Sequence, residues 1–126
     1  MVNTNIIPTS KQLGSLGEKI ALHYLKNKGY KILDRNFKRK WGEIDIVAKP
    51  PFRISLKYLK KRAKIIFVEV KTIRKNKNAP FFPEDEVGKK KKYQLRKMAQ
   101  IYLSAKNLPL TVPYQIDIIA VEIEPV

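Results

Sequence analysis

Lys64 to Thr72 reads K-I-I-F-V-E-V-K-T, and the fold turns on this stretch. The unbroken apolar run from Ile65 to Val68 predicts a central strand buried on both faces. Glu69 and Lys71 interrupt that pattern. Side chains alternate along a strand, so these two charges share one face and Val68 and Val70 point to the other. Upstream, Gly42-Glu43-Ile44-Asp45 leads into a second apolar strand, Glu43 to Ala48. Glu43 and Asp45 likewise share a face. Charges inside buried strands are costly unless something compensates them.

If the two strands are antiparallel neighbours, Asp45 and Glu69 converge on one point. Two carboxylates, the backbone carbonyl of Val70 and waters then make an all-oxygen site. Such a site suits Mg²⁺ or Mn²⁺ rather than Zn²⁺. A metal there would activate water and offset charge on a phosphodiester. Lys71 is placed to hold or deprotonate the attacking water, or to stabilise the transition state. Glu18, from a helix upstream, completes a second metal site or holds a water. The bland alternative is a salt bridge, since E-x-K triplets recur on solvated strand faces. The flanking Ile65, Ile66, Phe67 and Val68 favour the metal reading.

Around this pair the pattern reads α-β-β-β-α-β. Leu13, Leu16, Ile20, Ala21, Tyr24 and Leu25 recur at helical spacing, with Ser10 as N-cap and Gly29 as the stop. Tyr30 to Phe37 is a strand, and Lys38 to Trp41 a basic turn. Residues Phe52 to Lys64 form a basic connector. Arg74 to Glu86 is a loop carrying Phe81-Phe82. A second helix runs from about Gly88 to Ala105 with Leu95, Met98, Ala99 and Tyr102 inward, and Glu84, Asp85 and Glu86 before it favour its dipole. Tyr114 to Glu122 is the last strand. The expectation is an α/β fold with a central mixed sheet flanked by helices. Residues 1–9 form a flexible leader, and 10–126 one domain with a basic insertion at about 50–64.

The 126 residues carry a net charge of +16, which predicts attraction to nucleic acid more than to an anionic membrane. A lysine bias set by an AT-rich genome is the bland competitor. No cysteine is present, so disulfides and thiolate zinc sites are excluded, and a cytoplasmic setting fits. No apolar run is long enough to span a membrane, and the first residues lack a signal-peptide pattern.

At Gly14-Ser15-Leu16-Gly17-Glu18, Gly29 to Leu33, Arg35-Asn36-Phe37, Gly42 to Asp45 and Phe67 to Lys71 the chain resembles the YraN family. The likeness continues at Lys91, Leu95, Ala99 and Leu103, and at Asp117 to Val121. It implies a restriction-endonuclease-like PD-(D/E)xK core, similar to archaeal Holliday-junction resolvases. In that pattern Glu18 matches the helix acid, Asp45 the metal-binding aspartate, Glu69 the second acid and Lys71 the catalytic lysine. The resemblance implies a Mg²⁺- or Mn²⁺-dependent endonuclease acting on DNA, including branched or recombination intermediates, and by analogy a homodimer. The chain departs from the family in its longer basic connector and in Gln115-Ile116-Asp117 on the last strand. Two other readings stand beside the enzyme. One is a non-catalytic nucleic-acid-binding module on the same fold; the other is a basic protein of a ribonucleoprotein.

Basic residues outside the site are candidates for phosphate contacts: Lys89, Lys90, Lys91 and Lys92 at the start of helix 2, Arg74, and Lys60, Lys61 and Arg62 in the connector. Phe81, Phe82 and Trp41 either stack on unpaired bases or fold back onto the protein. His23 reads as a partly buried surface residue. Glu43 helps the metal or, the slightly favoured reading, pairs with a basic neighbour.

Overall fold

The computed structural model describes residues 9–52, 59, 63–74 and 88–124. Within them the chain runs α1 (Ser10–Asn27), β1 (Lys31–Arg39), β2 (Gly42–Lys49), β3 (Ile65–Arg74), α2 (Lys89–Ala105) and β4 (Tyr114–Ile123). The order is the α-β-β-β-α-β of the sequence pattern, with ends shifted by a residue or two. The four strands form one sheet in the order β1-β2-β3-β4. β1 to β3 are antiparallel in sequence, and β4 returns parallel to β3 after α2. The sheet is therefore mixed.

β3 is central because its first half is apolar on both faces. Ile66 and Val68 join Ala21, Leu22 and Leu25 in a core beneath α1. Ile65 and Phe67 join Met98, Tyr102 and Leu103 beneath α2. Tyr102 sets its ring edge-on to Phe37 and Phe67, at 5.0 and 5.5 Å between centroids. Its hydroxyl donates to Asp34 Oδ2 at 3.2 Å, and burial first, then Asp34, pushes that phenol up to about 12.

α1 departs from its sequence reading in two ways. Its N-cap is Thr9, not Ser10. Gln12 N donates to Thr9 Oγ1 at 3.1 Å, and Thr9 N donates to Gln12 Oε1 at 2.8 Å, a reciprocal capping box. Its inward face is Gly17, Ala21, Leu22 and Leu25, while Leu16, Ile20 and Tyr24 stand 45, 43 and 52% exposed. The reason is close approach: a Cβ at Gly17 would run into the Thr72 hydroxyl on β3. The helix turns its small residues to the sheet, so the large apolar ones are left outside. The helix ends in a Schellman motif, with Gly29 at φ 88 and Tyr30 N donating to Leu25 O at 3.0 Å.

The connector after β2 is not wholly solvated, since Leu59 and Ala63 are buried in the core under α1. Its Lys60, Lys61 and Arg62, like Phe81, Phe82 and the acids Glu84, Asp85 and Glu86, lie outside the described residues. No described helix is long and apolar enough to cross a membrane.

Candidate metal centre

The site is built where the sheet splits. β2 and β3 pair only through Ile46↔Val68, Val47↔Phe67 and Ala48↔Ile66. β1–β2 pairing continues to Gly42, and β3–β4 pairing continues to Arg74. Between them a fork opens, with Asp45 and Glu69 at its base. Asp45 Oδ2 accepts from Val70 N at 2.7 Å, so a carboxylate takes the ladder bond that the backbone of β2 no longer makes. A strand residue's N–H and C=O point to the same side, so the Val70 carbonyl also faces the fork.

Strict alternation would place Ile44 and Ile46 on one face. Instead Ile44 packs under α2 and Ile46 under α1. This twist falls at Asp45, opposite Asn36, whose φ of 50 is left-handed and is more readily adopted by asparagine than by most residues. The twist swings Glu43 and Asp45 towards α1. Gly17 brings that helix close enough for Glu18 to meet them. Oxygens of Glu18, Glu43 and Asp45 lie within 4.8 Å of one another. With its amide turned to donate, Asn36 reaches Glu18 Oε2 and Glu43 Oε1, both at 3.1 Å. These acids are partly buried.

Glu69 closes the other side. Its Oε1 lies 3.5 Å from Lys91 Nζ of α2, and its side chain is 16% exposed. Glu18, Asp45, Glu69, Val70, Lys71 and Arg74 all line one cleft of about 520 Å³. Burial, and then the crowding of like charges, raises the pKa values of Glu18, Asp45 and Glu69. Burial, then Asp45, pushes Glu69 up to about 7, against the opposing pull of Lys91. Burial raises Asp45, with Glu43 adding to it, while the Val70 N–H and Lys91 hold it down. Glu18 is raised by burial, then by Asp45 and Glu43, and eased by Arg35 and Lys38. Without a cation the cluster therefore retains protons that isolated carboxylates would have lost.

Glu18, Asp45, Glu69 and Lys71 of the acid–lysine reading thus meet in one cleft, with Val70 beside them. Two expectations change. Glu43 belongs with the acids rather than with a basic partner, because the twist at Asp45 carries it there. Lys91 turns inward to Glu69, whereas Lys89, Lys90 and Lys92 remain exposed on the first turn of α2. That turn holds no acid, and its N-cap Gly88 makes no side-chain cap, so nothing in α2 itself offsets the lysines at the positive end of its dipole. Asn36 carries no charge and no motif spacing, which is why its bridging role was hidden. His23 is exposed on α1.

A family model described as "Uncharacterised protein family UPF0102" matches residues 17–121. A UPF0102 protein of Caldanaerobacter subterraneus is 44% identical over 115 residues, covering 91% of this chain and 83% of its own. One from Alkaliphilus oremlandii is 39% identical over 99 residues, covering 79% and 74%. One from Syntrophomonas wolfei is 37% identical over 116 residues, covering 91% and 88%. The matched span runs from within α1 to within β4 and includes every acid of the fork.

Proposed function

We propose that this chain, which belongs to the UPF0102 (YraN) family, is a nuclease that uses a divalent cation to hydrolyse phosphodiester bonds in DNA. The observation that carries the reading is the fork itself. Glu18, Asp45 and Glu69, from α1, β2 and β3, line one cleft with Lys71, and an oxygen of Glu43 lies within 4.8 Å of the first two acids. A salt bridge needs one acid and one base; it does not need four acids at a break in the sheet.

The donor set fits a hard cation. Mg²⁺–oxygen bonds of about 2.0–2.1 Å put opposite ligands roughly 4 Å apart. Oxygens already within 4.8 Å need only a small contraction to reach that geometry. Asp45, Glu18 and Glu43 would hold the ion, with Glu69 and the Val70 carbonyl as further donors. A bound divalent cation supplies Lewis acidity to the phosphate and makes water a usable nucleophile near neutral pH. Asp45 stays fixed by the Val70 N–H. Lys71 offers its ammonium to the attacking water or to the phosphate oxygen on which charge builds. Lys89, Lys90 and Lys92, with Arg74 at the cleft, are placed for the flanking phosphates.

Branched or recombination DNA is the substrate we assign, cut by a homodimer in the cytoplasm. Residues 10–126 would act as one domain with a basic insertion at about 50–64. One observation favours a second reading, a non-catalytic nucleic-acid-binding module: Lys91 already pairs with Glu69 inside the acid cluster.

A cleavage assay separates the two. Labelled duplex, single-stranded and four-way-junction DNA are incubated with protein and Mn²⁺ at low salt, with RNA in parallel. The nuclease reading expects cleavage that falls at least about a hundredfold in Asp45→Ala and Lys71→Ala while binding persists. Binding without cleavage on every substrate supports the module and overturns the enzyme.

A further inference from the structure

The basic turn between β1 and β2 presents the chain's single tryptophan to solvent, with Trp41 half exposed. A large aromatic ring at a hairpin tip normally folds onto a core. This one is instead held from α2 while remaining accessible. Gln94 Nε2 donates to the Trp41 carbonyl, and Lys97 Nζ sits 5.4 Å from the ring centroid. Gly42, next in sequence, has φ 154, and a Cβ there would come within 2.9 Å of Gln94 Nε2. The tip is thus pinned to the helix through backbone as well as side chain, and ordering the ring on binding would cost little.

The surroundings are cationic. Lys38, Arg39 and Lys40 precede the ring, and all three are exposed. Tyr93, 68% exposed, lies one helical turn before Lys97 on the same face. An aromatic ring among lysines matches bases and phosphates better than acyl chains.

The position also relates to the cleft. Trp41 precedes Asp45 by four residues of β2, about 14 Å at strand rise. That is roughly four phosphate steps along one duplex strand. The same helix carries Lys91 to Glu69 and Lys97 to Trp41.

We infer that Trp41, backed by Lys97 and Gln94, is a stacking platform for unpaired bases, so that the partner is nucleic acid with a single-stranded segment next to the cleft. Bases inside a duplex are stacked on both sides, so away from its ends a duplex offers this surface chiefly its phosphates. The inference deepens the nuclease reading by naming its substrate class. Its binding half holds without catalysis.

The test uses the intrinsic fluorescence of Trp41 in the full chain, with EDTA present so that cleavage plays no part. The probes are short oligo(dT), short oligo(rU), a blunt duplex of matched length, and vesicles of mixed phosphatidylglycerol and phosphatidylcholine. Oligo(dT) should quench the emission, and Trp41→Ala should weaken its binding by about tenfold, within the range of a single stacked base. Trp41→Phe should recover part of the loss, and duplex affinity should change less than about twofold. Quenching by oligo(rU) as well extends the class to RNA. Absence of quenching by any oligonucleotide, an equal loss for duplex and single strand, or a response to vesicles alone overturns the inference. The quenching arm needs no variant, so a misfolded Trp41→Ala does not remove the test. Full cleavage by a folded Trp41→Ala of frayed and blunt DNA alike would remove the platform and leave the nuclease reading intact. Quenching by oligo(dT) with no cleavage on any substrate would do the reverse.

Discussion

The two halves of β3 are built on opposite rules. Ile65 to Val68 are buried and packed between both helices, whereas Glu69 to Arg74 are half buried or exposed along the cleft. The first half is held by apolar contact on each face and by ladders on each side. The second half keeps its ladder to β4 but loses β2, and its buried charges repel. The lesson is that the region proposed for chemistry works against the stability of the fold. Changes in the first half should weaken the protein; charge removal in the second should strengthen it while abolishing function.

The largest expected effect is Phe67→Ala. Truncating a fully buried phenylalanine leaves a cavity and costs about 3–5 kcal/mol. Denaturant unfolding should show the midpoint falling by a corresponding amount, with activity lost only as the fold is lost. An unchanged midpoint would break the comparison at its firmer end.

Gly17→Ala comes next. Its new methyl group meets Thr72, so α1 must shift or the threonine must turn away, at about 1–3 kcal/mol. Glu18 then retreats from Asp45, and Mn²⁺ affinity should drop with stability. Thr72→Ala in the same chain should recover part of both losses, a coupling that a double-mutant cycle measures.

Glu69→Gln tests the second half through pH. Glu69 is raised to about 7 by burial and Asp45, against an ordinary value of 4.5. Below 4.5 the carboxyl is protonated whether the chain is folded or not, and its contribution is intact. Between 4.5 and about 7 the folded state holds a proton that the unfolded chain releases, so stability declines as pH rises through this window. Glu69→Gln should match the native chain in acid and exceed it above neutrality. Lys91 and solvent screening keep the gain near 1 kcal/mol, a Tm rise of a few degrees in EDTA. Mn²⁺ binding to the native chain should run the other way, tightening as pH passes 7, because the cation requires the carboxylate that protons occupy.

The smallest effect is Lys91→Met. Lys91 is the cation already present at Glu69, so removing it should tighten Mn²⁺ binding a few-fold at low salt. Weaker binding would mean that Lys91 positions Glu69 for the metal rather than competing with it.

Much of this was legible in the sequence because buried strands write themselves plainly. The run around Phe67 marks the central strand, and the patterns around it carry the element order and the cleft residues Glu18, Asp45, Glu69 and Lys71. What stayed hidden has a common cause. Gly17 decides how α1 is turned, yet a glycine adds nothing to an apolar periodicity, so the large residues Leu16, Ile20 and Tyr24 were read as core. Asn36 decides where Glu43 points, through a left-handed backbone angle that asparagine permits but does not announce. The family resemblance marks Lys91 among the lysines Lys89 to Lys92, but only the helix register shows that it turns inward to Glu69. At Gly17 and Asn36 the geometry depends on close approach or on a single φ, and neither leaves a repeating signal.

The central claim, that the fork is a divalent-cation site, is tested most directly by Tm against added Mn²⁺ in the native chain and in Asp45→Ala. The account predicts that saturating Mn²⁺ raises the native Tm in a concentration-dependent way and leaves Asp45→Ala unmoved. No rise in the native chain, or an equal rise in both, would contradict it.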